Sequence, residues 1–226
     1  MSGSCLSELS AHPDAVHGLF WMDANLVVSG CDKGRVIGHD LRTDSSASSK
    51  IAWQHQLSRA AGGEGVAVCC LSGVPGEAGL VAAGCAQGWL QLLDVRSGRR
   101  LCEQRLHSDD IRSLSLLPLA QSRPRSTTRS LLAPDSDSEG GSWSWALLTS
   151  SYDGTAALWR QAAGAGAEGK CEQVFSLSGG HADKVLCASF AAGGDATLSE
   201  LRLDLSRPPA ILTSGADGRV LLWQSA

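Results

Sequence analysis

One phrase is written four times in this chain of 226 residues: SGCDKGRVIGHD at 29–40, AGCAQGWLQLLD at 83–94, SSYDGTAALWR at 150–160 and SGADGRVLLWQ at 214–224. Such self-similarity marks a repeat architecture, in which each unit is one supersecondary element that buries its apolar face only against its neighbours. The turn glycines Gly34, Gly88, Gly154 and Gly218 lie 54, 66 and 64 residues apart. Those periods exceed the roughly 20–50 residues common in repeat proteins, so insertions must separate parts of the units.

Each phrase reads as a strand, a tight turn and a second strand. Asp-Gly at 153–154 and 217–218 and Asp-Lys-Gly at 32–34 supply residues that tolerate positive φ. Short alternating runs such as RVLLW and TAALW suit half-buried strands, and no amphipathic helix of useful length competes with them. A second element recurs upstream: His12-Pro-Asp-Ala-Val16, His107-Ser-Asp-Asp-Ile111 and His181-Ala-Asp-Lys-Val185, with only GEGV at 63–66 in the second unit.

GGHADKV and SGADGRVLLW closely resemble the glycine-histidine and tryptophan-aspartate signatures of WD-repeat β-propellers, and the resemblance spans nearly the whole chain. It implies an all-β fold of four four-stranded blades forming a single domain over 1–226, with units at about 10–50, 60–106, 107–178 and 179–226. The resemblance also implies a hydrogen-bonded tetrad in each blade: His107, Thr149, Asp153 and Trp159 in the third, His181, Thr213, Asp217 and Trp223 in the fourth. The first unit keeps His12 and Asp32 but has Val28 and His39 in the other two places. The second has Gln87 and Leu93 and no histidine. The same His, Thr and Asp recurring in successive units suits a scaffold rather than a unique hydrolase triad.

Ser4–Leu9 reads as a lone strand and the chain closes on a third strand at its end, so the N-terminal strand is expected to complete the last blade, which would remove exposed sheet edges. Residues 121–142, QSRPRSTTRSLLAPDSDSEGGS, lack periodicity and read as a mobile loop inserted in the third unit. Within it Ser126, three residues after Arg123, and Ser136 and Ser138 among acids are candidate phosphorylation sites. Trp21, Trp53 and Trp89 fall in strand-like runs where core packing is expected.

Composition narrows the function. With 43% hydrophobic and 19% charged residues the chain should fold. Its net charge of −4 argues against nucleic acid as a partner, and the one basic cluster, RPRSTTR, is offset at once by DSDSE. No apolar run is long enough for a membrane helix, and the opening residues lack a basic start and an apolar core, so cytoplasm or nucleus is the expected location. The eight cysteines sit mostly in apolar runs, without CxxC spacing, and are expected as free core thiols; no metal and no cofactor are expected.

By the same resemblance, residues after the glycine-histidine step and before the turn aspartate line a partner-binding face: His17, Asp110, Arg112, Lys184 and Tyr152, with Ala15, Gly65, Leu186 and Cys31 at related places. A tyrosine with Arg112 and Lys184 would form an amphipathic patch suited to acidic or phosphorylated segments. The function expected is a non-catalytic scaffold that assembles other proteins. A substrate adaptor for a ubiquitin ligase is the alternative within the binding class. A propeller hydrolase or lyase is the alternative from another class, and no GxSxG, Walker loop or HExxH supports it.

Overall fold

The structure is a computed structural model that describes residues 3–5, 8–42, 50–58, 65–74, 79–118, 145–161, 170–191 and 210–224. They form four antiparallel meanders in chain order. The first contains β1 (Val16–Trp21), β2 (Leu26–Cys31), β3 (Arg35–Asp40) and β4 (Ile51–Gln56), and the second β5 (Val68–Gly73), β6 (Leu80–Cys85), β7 (Trp89–Asp94) and β8 (Arg99–Arg105). The third contains β9 (Ile111–Pro118), β10 (Trp145–Ser151), β11 (Ala156–Gln161) and β12 (Cys171–Leu177), and the fourth β13 (Val185–Phe190), β14 (Ile211–Gly215) and β15 (Val220–Trp223).

The strand sequences follow from what covers them. β10, WALLTSS, is buried at every position because sheets pack on both of its faces, and a strand covered twice reads as a near-continuous apolar run. β4, IAWQHQ, is the last strand of its meander, and its residues alternate between partly buried and exposed. The first strand of each sheet packs on the sheet before it: β5 on β1 and β2, β9 on β5 and β6, β13 on β9 and β10. Three apolar clusters fill these junctions. Gly30 marks how closely the sheets approach, since a Cβ there would lie 2.5 Å from the Val68 side chain.

One backbone bond recurs in all four sheets and ties the loop entering each first strand to the turn after its second. The amides of Asp32, Ala86, Tyr152 and Ala216 donate to the carbonyls of Ala15, Ala67, Asp110 and Lys184, at 2.8–3.1 Å. The turn that follows carries a glycine at positive φ, between 73° and 82°, in every unit. Gly88 is the most constrained. An added Cβ would fall on the His107 carbonyl as well as meeting the positive-φ penalty. Gly88→Ala is therefore expected to cost about 3 kcal/mol or more in urea unfolding, against about 1 kcal/mol for Gly218→Ala, where the space is open. Equal costs for the two would refute this reading of the junction.

Several expectations need correction. Among the described residues the fourth sheet has three strands, and Ser4, Cys5, Glu8 and Leu9 lie outside any strand, while Leu6 and Ser7 of the expected closing strand lie outside the described residues. Trp53 and Trp89 pack partly buried against the core, but Trp21 is exposed, because among the described residues no sheet packs on its face of β1. Cys31, Cys69, Cys85, Cys102 and Cys171 are buried, Cys70 is half-buried, and Cys5 and Cys187 are exposed. Ser126, Ser136, Ser138 and the loop 121–142 lie outside the described residues.

Candidate functional site

In the third and fourth sheets the histidine, threonine, aspartate and tryptophan form one hydrogen-bonded chain. The Trp159 indole N–H donates to Thr149 Oγ1 (2.9 Å), which lies 2.7 Å from His107 Nε2, and His107 Nδ1 lies 3.1 Å from Asp153 Oδ2. The Trp223, Thr213, His181 and Asp217 set repeats this with distances of 2.8, 2.8 and 3.1 Å. The partners assign the protons: His107 Nδ1–H donates to the carboxylate, and the threonine hydroxyl donates to Nε2. Each aspartate also accepts a backbone N–H from the residue after the histidine, Ser108 or Ala182, at 3.0 Å. The chain thus ties the loop entering each sheet to its turn and to its third strand. Thr149 is fully buried, so substrate cannot reach the hydroxyl that a triad would need as nucleophile.

The first sheet departs from the expected alignment. Its pairing register puts Ser29, not Val28, in the place of Thr149, and puts Lys33 where Asp153 and Asp217 stand. Ser29 Oγ lies 2.6 Å from His12 Nε2 and 2.7 Å from His39 Nε2, so His39 takes the tryptophan's role. Asp32 occupies the place of Tyr152 and pairs instead with His17 at 3.0 Å. His12 Nδ1 is left buried without a hydrogen-bond partner. In the second sheet Gln87 stands in the aspartate's place at φ 59° and Leu93 in the tryptophan's, buried in the apolar cluster.

The buried network makes stability depend on pH. Burial lowers the pKa of His107, which the Asp153 charge only partly opposes, and burial likewise lowers those of His12 and His39. These rings stay neutral in the fold while the unfolded chain protonates near 6.5. Their contribution is complete above that pH and is lost as pH falls toward the lower folded values. Asp217 is held down to about 2, chiefly by the Ala182 N–H, so its contribution is present above about 4 and is lost as pH falls toward 2. Thermal unfolding followed by circular dichroism is expected to weaken in two steps on acidification, one below about 6.5 and one below about 4. Asp217→Asn should make only the second shallower; an unchanged second step would count against the assignment.

The residues expected to bind partners separate into three groups. Arg112 follows Ile111 on β9, Tyr152 opens the β10–β11 turn, and Lys184 immediately precedes β13. The Arg112 guanidinium lies 5.0 Å and the Lys184 ammonium 4.5 Å from the Tyr152 ring centroid, so the third and fourth sheets place two cations on one aromatic ring. Neither cation is among the described ion pairs. The neighbouring Cys69 thiol, pushed up to about 11 by burial, adds no negative charge beside Arg112. Lys184 and Tyr152 also edge a cleft between these sheets, lined further by Gly154, Thr155, Ala182 and Asp183. His17 stands elsewhere on the same rim with Asp32, and Asp110 accepts from the Gln87 N–H at 2.9 Å, joining the second and third sheets. The Asp32 position was the residue that sequence reading misplaced; the one-residue longer spacing to Gly34 was its signal.

Among the described residues no cluster of histidine, cysteine and carboxylate side chains could hold a metal, and no helix is long and apolar enough to cross a membrane. Residues 169–224, the fourth unit, match the family described as WD domain, G-beta repeat. The fold resembles the crystal structure of the computationally designed Ika4 protein, with a TM-score of 0.56, 18% identity and full coverage of both chains. No curated protein matches the sequence. The fourth unit matches the repeat family directly, and the other three share its strand order, its turn glycine and its turn-closing backbone bond, so the chain has an all-β, propeller-like fold in which one unit is recognised as a WD repeat.

Proposed function

We propose that the protein is a non-catalytic scaffold that holds acidic or phosphorylated segments of other proteins on the rim formed by Arg112, Tyr152 and Lys184. WD repeats generally mediate protein–protein contacts, and the family is typically non-enzymatic. The observation that carries the site is the meeting of two cations from neighbouring blades on one tyrosine ring, with no carboxylate in ion-pair contact with either among the described residues. A carboxylate or phosphate placed there gains two charge partners, while the ring supplies an apolar ledge of the kind enriched at binding hot spots.

The test is affinity capture from lysate with the wild-type chain and with Tyr152→Ala combined with Arg112→Ala. Both side chains are partly exposed, so the unfolding midpoint should stay close to that of the wild type, while a defined set of partners should be lost. Identical capture by the two proteins would refute the assignment.

A further inference from the structure

The three junctions inside the chain share one design. The first strand of each later sheet inserts a leading face against the preceding sheet: Val68, Ile111 and Val185, with Leu116 and Phe190 further along, are all buried there. The preceding sheet receives it on a trailing face formed by its second and third strands, and in the third sheet Leu148, Ala156 and Leu158 are fully buried. The strand registers map both faces onto the ends of the chain. Val16, Leu19 and Trp21 on β1 are the leading-face positions of the first sheet. Leu212, Val220 and Leu222 on β14 and β15 are the trailing-face positions of the fourth.

At these six positions the burial reverses. Leu19 is 69% and Trp21 59% exposed, and Val220 is 70% and Leu222 60% exposed. Among the described residues the two end faces therefore do not cover each other within one copy. Apolar faces of this kind, on a sheet whose last strand β15 has a neighbour on one side only among the described residues, are surfaces that soluble proteins cover.

We propose that a second copy of this chain covers both, the β1 face of each copy docking on the β14–β15 face of the other to close a two-fold ring of eight sheets. Each copy carries one face of each kind, in the register already used three times internally, so a second copy offers each exposed face the kind of neighbour that the internal junctions use. Such a contact is heterologous, and it ends in a closed assembly only when the rotation per unit returns to its start; two copies also stay within the roughly four to eight blades that propellers use.

Sedimentation velocity on the full chain at micromolar concentration is expected to give twice the 23.5 kDa of one chain. Trp21→Glu and Leu222→Glu, each at an exposed position in the single copy, are each expected to weaken self-association on the order of 100-fold by forcing an unpaired charge into the contact. Circular dichroism should show both variants folded. Loss with both variants supports head-to-tail docking. Loss with only one means that like faces meet and overturns the proposal. A wild-type mass of one chain, or open-ended polymers, overturns it as well.

Discussion

Thr149→Val is expected to lower the stability of the protein by about 3 kcal/mol in equilibrium urea unfolding. The isosteric change leaves packing volume nearly untouched, so the loss reports hydrogen bonding. Thr149 receives the Trp159 N–H and contacts His107 Nε2, and both partners would remain buried without a replacement. A buried polar group left unpaired costs about 1–3 kcal/mol, and two are stranded here. Thr213→Val strands the same pair of atoms in the fourth sheet, where Trp223 is only partly buried and water can reach the indole. Its loss should be smaller, about 1–2 kcal/mol. A loss below about 1 kcal/mol for Thr149→Val would mean that the chain of bonds is incidental to the fold.

Reversing both cations, with Arg112→Glu and Lys184→Glu together, should weaken capture of the partners recovered by the wild type by at least about 30-fold, the scale of a hot-spot loss of 2 kcal/mol. The reasoning is electrostatic. Two cations without an ion-pair partner among the described residues converge on Tyr152, and replacing both with carboxylates makes an acidic segment face like charge. Wild-type binding should also fall as salt rises, because the site is exposed enough to be screened. Tyr152→Phe keeps the ring and should keep most of the binding, whereas Tyr152→Ala should not. Binding by biolayer interferometry that ignored both salt and charge reversal would remove the acidic segment from the account.

How far the sequence carried can be traced residue by residue. The tetrads of the third and fourth sheets were legible because each uses an unbroken His, Thr, Asp-Gly and Trp spacing, and the structure joins those atoms. The first sheet misled because Asp32 lies two residues before its glycine rather than one. The spacing to Gly34 already puts Lys33 in the aspartate's place, whereas strand pairing is needed to show that Ser29 is the hydroxyl between two histidines. Trp21 misled for another reason: its position on β1 is a core position in every sheet that packs on an earlier one, and among the described residues no sheet covers this face of β1. A run of residues specifies which face is apolar, and the neighbouring sheet decides whether that face is buried. The convergence of Arg112 and Lys184 on Tyr152 was anticipated from family positions, while its distances depend on how adjacent sheets dock.

The most direct measurement of the central claim is photo-crosslinking in cells, with a photoreactive amino acid in place of Ala182, beside Tyr152 and Lys184, and separately in place of Glu172 on β12. Both positions are exposed, so the comparison asks which surface meets other proteins. The account predicts discrete crosslinked partners from position 182 that disappear when Arg112 and Tyr152 are replaced by alanine, and none in common from position 172. Partners crosslinked equally from both positions, or only from position 172, would contradict it.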